Sequence, residues 1–317
     1  MSIDTAVEID GQYRAMKEGA GVLDRSSRAK FVVRGSDGAE FLQGQLTNDI
    51  EALEPDAGCY SALLDRKGHM QADMRVLRLN TGDLWLDTEP EVAGTVERHL
   101  RMYSVGREVE IEDASGDWSI VSVVGPGAVE AAGSPPVAPE HSQRHYEREG
   151  VEILAVATDL GLDLIVRAEQ SVELQELLAQ SEAVGVSEAA AEILRVEAGR
   201  PRFGREMTTA TIPQEADIDG RAVSFTKGCY IGQETVARLH YKGKPNRHLR
   251  GLRLEAPADA GDAIRLGERE VGSVGTTVLS PAHGQIALAV IRREAEPGAR
   301  VEIGDQGVGA EVVPLPF

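Results

Sequence analysis

Short apolar and β-branched runs alternate along the chain with segments whose apolar residues recur every three or four positions. The runs predict strands and the segments of helical spacing predict helices. The predicted strands are 29–34, 59–64, 70–79, 84–87, 118–124, 151–157 and 162–166. The predicted helices are 39–46, 91–102, a short helix ending at 132, 169–180 and 187–197. After 247 only short β segments with Gly, Pro and Asp turns remain, which is typical of a small β-barrel or sandwich.

A strand, a glycine-containing turn and a helix occur in that order twice, beginning at Ala29 and again at Trp118. Such a repeat predicts two related α+β halves. The Gly-Ser-Pro-Pro stretch in 133–140 is typical of a linker or exposed loop. We therefore predict an α+β fold with a two-part region over 1–242 and a C-terminal β-barrel domain over 243–317. The irregular passage from 199 to 226 is long enough to be functional.

The composition is that of an ordinary folded protein. Of the 317 residues, 42% are hydrophobic and 27% are charged, close to the averages for globular domains. No run approaches the roughly 20 apolar residues of a membrane span. The acidic N-terminus resembles neither a secretory signal nor a transit peptide. We therefore expect a cytoplasmic protein without a membrane partner.

The charge is strongly negative, with one exception. A formal net charge of -19 should repel nucleic acid and anionic membranes, so neither is an expected partner. The segment 227–253 runs against this sign, since it holds seven Lys or Arg residues and only Glu234 as an acid. Two interpretations stay open: a solvated basic face or protected strand edge, and a surface that binds an anion.

Two cysteines, Cys59 and Cys229, are too few for a disulfide framework or a complete metal site, and we expect no resident metal. Cys229 follows a glycine, lies near Lys227 in the chain and precedes a helix predicted to start near Gly232. Positive potential from a lysine or a helix N-terminus favours the thiolate, so a reactive cysteine would be found here. The alternative is a small buried apolar residue, the commonest role of a free cysteine.

The sequence Lys227-Gly-Cys-Tyr-Ile-Gly-Gln-Glu234, followed by Arg238, resembles the signature of the YgfZ family of folate-binding proteins. That family is related to the T protein of the glycine cleavage system, an aminomethyltransferase. The resemblance extends to 41–49, 60–76 and 194–199 and so covers most of the first 250 residues. It implies two α+β halves and a C-terminal β-barrel around a central folate channel, with tetrahydrofolate as the cofactor.

The resemblance also assigns binding residues. Glu197 matches the carboxylate that holds the pterin ring, and Tyr60 matches an aromatic residue that lines the channel. Asp87 aligns with an Asn at the end of a channel strand. Lys227 and Arg238, in the basic segment, would face the anionic glutamate tail of folate or an acidic partner. From the residues alone, Glu197 could be a solvated helix residue and Tyr60 an ordinary packing residue.

The hypotheses about function differ in the role that they give to Asp73. It aligns with the catalytic acid of the T protein, although Ala72 replaces the first acid of that pair. An aminomethyltransferase or demethylase using Asp73 is therefore one hypothesis. The cysteine signature favours another, a tetrahydrofolate-binding accessory protein that uses Cys229 to support iron–sulfur cluster assembly or repair in client enzymes. The third is a folate-binding protein without a reactive thiol. Two cysteines cannot hold an ordinary cluster, so we expect none in the protein itself.

Overall fold

The computed structural model describes residues 3–317. Its α-helices are α1 (Ile3–Glu18), α2 (Gly38–Gln45), α3 (Ala93–Tyr103), α4 (Ala128–Ala132), α5 (Ser171–Ala179), α6 (Glu188–Glu197), α7 (Asp219–Ala222) and α8 (Gln233–Lys242). Its strands are β1 (Gly21–Asp24), β2 (Ala29–Arg34), β3 (Ala57–Leu64), β4 (Met70–Arg78), β5 (Leu84–Thr88), β6 (Glu110–Asp113), β7 (Trp118–Val124), β8 (Gln143–Arg148), β9 (Val151–Ala157), β10 (Gly161–Arg167), β11 (Val184–Gly185), β12 (Arg247–Leu254), β13 (Ala263–Leu266), β14 (Arg269–Ser280), β15 (Gly284–Arg292), β16 (Arg300–Ile303) and β17 (Val308–Val313). Short 3-10 helices lie at Pro90–Val92 and Ala168–Gln170.

The strands form two open sheets and one barrel. The first sheet has the order β3-β4-β5-β2-β6, and the second has the order β11-β1-β7-β10-β9-β8. Strands β12 to β17 close into a six-stranded barrel in the order β12-β15-β14-β13-β16-β17. Barrel closure leaves no free sheet edge, and its apolar side chains form a core of their own. None of the helices in the described part of the chain is long and apolar enough to cross a membrane.

The repeat predicted from the sequence is present in the backbone. Residues 31–40 and 121–130 have the same succession of strand, bend, turn and helix. In both copies a glycine follows the strand with a positive φ, 105° at Gly35 and 122° at Gly125. A Cβ on either glycine would lie within 2.5 Å of a backbone carbonyl oxygen, of Glu108 and Gly19 respectively. Only glycine therefore fits either turn.

The two open sheets share an apolar layer, in which side chains of both pack together. Val32, Leu77 and Trp85 come from the first sheet, and Ile120, Leu154 and Ile165 from the second. Alternation along each strand sends the intervening residues to the opposite face, so Val121 and Val123 pack in a separate core of the second half. This layer explains why β7, β9 and β10 read as nearly continuous apolar runs.

A buried charged network crosses the same layer. Arg75 on β4 donates to Asp87 Oδ2 on β5 at 2.7 Å and to Asp163 Oδ2 on β10 at 2.6 Å. Arg28 donates to Asp87 Oδ1 at 2.8 Å, and Ser122 Oγ donates to Asp163 Oδ1 at 2.5 Å. Buried carboxylates are stable only when paired and hydrogen-bonded, and both are. Arg75 therefore ties the first sheet to the second.

The chain divides into two compact units, and neither is continuous in sequence. The first holds the chain up to Leu63, Gln71–Ala190 and Thr226–Ile231, and so includes both open sheets. The second holds Leu64–Met70, Ala191–Phe225 and Gly232–Phe317, and so includes the barrel. The predicted α+β class, the two halves and the C-terminal barrel are confirmed. The predicted domain boundary at 242 stays a prediction. Each compact unit consists of three separate segments of the sequence.

We predict that Asp87→Asn lowers the free energy of unfolding by about 3–5 kcal/mol, because it leaves the buried Arg75 and Arg28 without their shared carboxylate. The guanidinium groups of Arg75 and Arg28 overcome the effect of burial and hold the pKa of Asp87 at about 2. Since an unfolded Asp titrates near 3.9, this contribution is complete above about pH 4 and is lost as the pH falls towards 2. Urea denaturation of both proteins between pH 7 and pH 2.5 measures the difference.

The control is Glu97→Gln, which breaks an exposed ion pair with Arg101 and should change the stability by less than about 0.5 kcal/mol. If Asp87→Asn lowers the free energy of unfolding no more than Glu97→Gln does, or by an amount that does not depend on pH, the network contributes little to folding.

Candidate functional site

Tyr60 and Asp73 form a hydrogen-bonded pair on the first sheet. Tyr60 Oη on β3 donates to Asp73 Oδ2 on β4 at 2.6 Å. Asp73 Oδ1 is shielded from solvent and has no hydrogen-bond partner among the described residues. Burial raises the pKa of Asp73, against the lowering effect of the Tyr60 hydrogen bond. A carboxyl group of this kind can hold a proton closer to neutral pH than an exposed Asp and can exchange it with a bound amine.

Asp87, the third predicted binding residue of this sheet, has a different environment. Both of its carboxylate oxygens accept hydrogen bonds from Arg75 and Arg28, and the indole of Trp85 donates to Oδ2 at 3.2 Å. The low pKa keeps Asp87 ionised over the physiological range. The structure therefore gives Asp87 a role in holding the sheets, and its contact with a cofactor stays a prediction.

Glu197 lies at the C-terminal end of α6 in the second unit. Its side chain is buried, and Ser280 Oγ on β14 donates to Glu197 Oε1 at 2.6 Å. The backbone carbonyl of Glu197 also accepts the amide of Phe317 at 3.0 Å. A solvated helix residue is thus excluded. Ser280 helps to orient this carboxylate. A carboxylate group has about four acceptor sites and can bind two parallel donors of a planar group.

Lys227 is hydrogen-bonded to backbone alone. Its Nζ donates to the carbonyl oxygens of Gln43, Leu46 and Asn48 at 2.6, 2.7 and 2.7 Å. These three bonds use all the donors of an ammonium group. Burial lowers the pKa of Lys227 to about 8, although the nearby carboxylate of Asp49 opposes the shift. In this conformation Lys227 has no donor left for a folate tail, and its ligand role stays a prediction.

The two cysteines differ in exposure. Cys229 is exposed, and Cys59 on β3 is half-buried. Burial raises the pKa of the Cys59 thiol to about 12, so this thiol stays protonated. Because Cys229 is exposed, its alternative role as a buried packing residue is excluded. Helix α8 starts at Gln233 with Gly232 as its N-cap, as the sequence predicted.

Arg238 is exposed on α8 in the second unit. On the same helix His240 stacks on Phe225 with ring centroids 3.6 Å apart, and Tyr241 packs edge-on against His240. The end of α8 thus faces solvent beside a small aromatic cluster, whereas Lys227 of the same basic segment is half-buried. Of the predicted site residues, the structure brings Tyr60 and Asp73 into contact within the first unit, and it places Glu197 and Arg238 in the second.

Three contacts of the charged and site residues were not predicted from the sequence. They are the pairing of Arg75 with Asp163, the hydrogen bond of Ser280 to Glu197 and the carbonyl cradle of Lys227. One signal was available: Asp163 interrupts an otherwise apolar run, and a charge inside a buried strand requires a partner. The partners of Glu197 and Lys227 lie more than 80 residues away in sequence and leave no local pattern.

Comparison with known families agrees with this architecture. Residues 5–227 match the GCVT N-terminal domain, and residues 247–317 match the glycine cleavage T-protein C-terminal barrel domain. The two matches cover most of the chain, including both predicted parts. The chain belongs to the glycine cleavage T-protein family.

Individual relatives are distant. An aminomethyltransferase of Rubrobacter xylanophilus is 28% identical over 326 residues, which span 98% of this chain and 86% of that protein. A protein of Haemophilus influenzae whose name records no activity is 29% identical over 230 residues, 72% of this chain and 71% of its own length. The crystal structure of glycine cleavage system aminomethyltransferase T from Bartonella henselae superposes with a TM-score of 0.86 at 22% identity, covering 98% of this chain and 89% of that chain. This last similarity establishes the fold.

We predict that limiting iodoacetamide at neutral pH modifies Cys229 at least about tenfold faster than Cys59, because Cys229 is exposed to the reagent whereas burial raises the pKa of the Cys59 thiol. Peptide mass spectrometry over a time course gives both rates. In guanidinium chloride the two rates should converge, since unfolding removes the burial of Cys59. Equal rates in the native protein would contradict the structure.

Proposed function

We propose that the chain is a tetrahydrofolate-binding accessory protein of the YgfZ type, which supports iron–sulfur cluster assembly or repair in cytoplasmic client enzymes. The observation that carries the proposal is the exposure of Cys229 within the segment whose sequence resembles the YgfZ signature. A thiolate is a soft ligand for iron and a nucleophile, and either role requires access from solvent. Membership of the T-protein family supports the folate part of the proposal.

The residues fit the proposed cofactor. A pterin ring presents a ring N–H and an amino group side by side, and a carboxylate can accept both. Glu197 is such a carboxylate, buried and oriented by Ser280. Tyr60 offers an aromatic face for a flat ring system, with its hydroxyl already directed to Asp73. Tetrahydrofolate, when bound, would supply the site that carries a one-carbon unit.

A second function, aminomethyl transfer, has an observation of its own. Asp73 retains the carboxyl of the T-protein acid, and burial raises its pKa while Oδ1 lies shielded without a described partner. Such an oxygen could take a proton from an amine as a one-carbon unit leaves or arrives. The name of the Rubrobacter relative agrees with this function. The two functions use different residues, so mutation separates them.

We predict that Glu197→Gln weakens tetrahydrofolate binding on the order of ten- to a hundredfold, because hydrogen bonds to a charged acceptor are stronger than bonds to an amide. The amide still accepts the Ser280 hydroxyl, so the fold should be retained. Isothermal titration measures the affinity, and circular dichroism checks the fold. Glu173→Gln, at an exposed position of α5, is the matched control. An unchanged affinity at Glu197 would exclude it as the pterin acceptor.

For the function itself, we predict that in cells lacking the native gene Cys229→Ser fails to restore client iron–sulfur enzyme activity, whereas Asp73→Asn restores most of it. A hydroxyl is neither a soft ligand nor ionised at neutral pH, and Asn can still accept the Tyr60 hydrogen bond. Asp305→Asn, at a fully exposed position, controls for expression. The same proteins are assayed for formation of methylene-tetrahydrofolate from an aminomethyl-loaded carrier protein.

The opposite pattern identifies the second function. If the unmodified protein forms methylene-tetrahydrofolate, Asp73→Asn abolishes that turnover and Cys229→Ser fully restores client activity in cells, aminomethyl transfer replaces the accessory function as the conclusion.

A further inference from the structure

The segment 226–231 forms the C-terminal cap of helix α2. The last carbonyls of any α-helix lack partners within the helix and lie at the negative end of its dipole. In α2 the carbonyl of Gln43 accepts Lys227 Nζ, and the carbonyl of Gly44 accepts the amide of Ile231 at 3.3 Å. The ammonium also bonds to the carbonyls of Leu46 and Asn48, which directly follow the helix. A segment about 180 residues away in sequence thus completes this helix.

Cys229 lies between the two residues that bond to α2, Lys227 and Ile231. Tyr230 is buried, and Lys227 Nζ lies 5.1 Å from the centroid of its ring. Gly228 and Cys229 are exposed. The segment is therefore held by an ammonium at one end and by a backbone hydrogen bond at the other, with a buried aromatic ring beneath it. The cysteine is the part that remains free to face solvent.

We infer that Lys227 is a positioning residue, which caps α2 and thereby holds Cys229 in its outward orientation. The inference rests on the proposed role of Cys229 and gives Lys227 a task other than contact with a folate tail. It also links two stretches of the family resemblance, because the last turn of α2 and the three carbonyls lie in the stretch 41–49. A tetrahedral ammonium suits three converging carbonyl oxygens, whereas a planar guanidinium does not.

The local test is hydrogen–deuterium exchange of the full-length protein. In Lys227→Met, which keeps the length of the side chain but removes its charge, amides of 228–231 and of the end of α2 should exchange about tenfold faster or more, the effect of losing charge-assisted hydrogen bonds. Lys227→Arg should give an intermediate or equal increase. Lys67→Met, at an exposed lysine, should change nothing there. Unchanged exchange in Lys227→Met would overturn the inference.

If Lys227→Met proves too unstable to study, Lys227→Ala with added ethylammonium replaces it. The free ammonium can occupy the carbonyl cradle, so it should restore slow exchange of 228–231, whereas ethanol at the same concentration should not. Rescue by both compounds, or by neither, would contradict a specific ammonium cap.

The functional test uses a double mutant. If Lys227 acts through Cys229, Lys227→Met lowers client enzyme activity in cells towards the level of Cys229→Ser, and the combination Lys227→Met with Cys229→Ser is no worse than Cys229→Ser alone. A lysine with a merely structural role would lower activity further in the double mutant, and tetrahydrofolate affinity would fall with it. If Cys229→Ser alone has no effect on clients, the proposed function fails, while the exchange experiment still decides whether Lys227 caps α2.

Discussion

A guanidinium group enclosed by two carboxylates determines the arrangement of the first unit. Arg75 satisfies Asp87 from its own sheet and Asp163 from the opposite sheet, so these charges are tolerated only when both sheets are correctly placed. Side chains two residues apart on a strand point to the same face. Asp73 therefore shares the face of Arg75, and the hydrogen bonds that hold Arg75 also fix the direction in which the Tyr60–Asp73 pair is presented.

The buried strands of the fold could be predicted from the sequence, whereas strands at the sheet edges could not. Strands β7 and β9 have the predicted bounds because their residues are buried between layers and read as apolar runs. Strands β6 and β8 and helix α1 were not predicted. Both of these strands lie at sheet edges, where one side faces solvent and polar residues are tolerated, so their sequences carry no strand pattern. Only their neighbours in the folded sheet determine them.

The candidate site was predictable in a different way. Tyr60, Asp73 and Glu197 were proposed through a resemblance to a family, since a tyrosine or carboxylate in a strand or helix has many ordinary roles. The structure adds what a sequence cannot contain, namely the partner of each group. Asp87 and Lys227 illustrate the difference: each was predicted to bind a ligand, which stays a prediction, and the structure shows that each is also hydrogen-bonded to groups distant in the sequence.

The discontinuity of the two units has a consequence for synthesis on the ribosome. The first unit includes Thr226–Ile231, so it lacks the cap of α2 until almost three quarters of the chain has been made. Domains usually fold in order as they emerge, but here the sheets of the first unit must wait, partly finished, for a segment that follows part of the second. Translation speed between 190 and 231 should therefore influence the yield of folded protein.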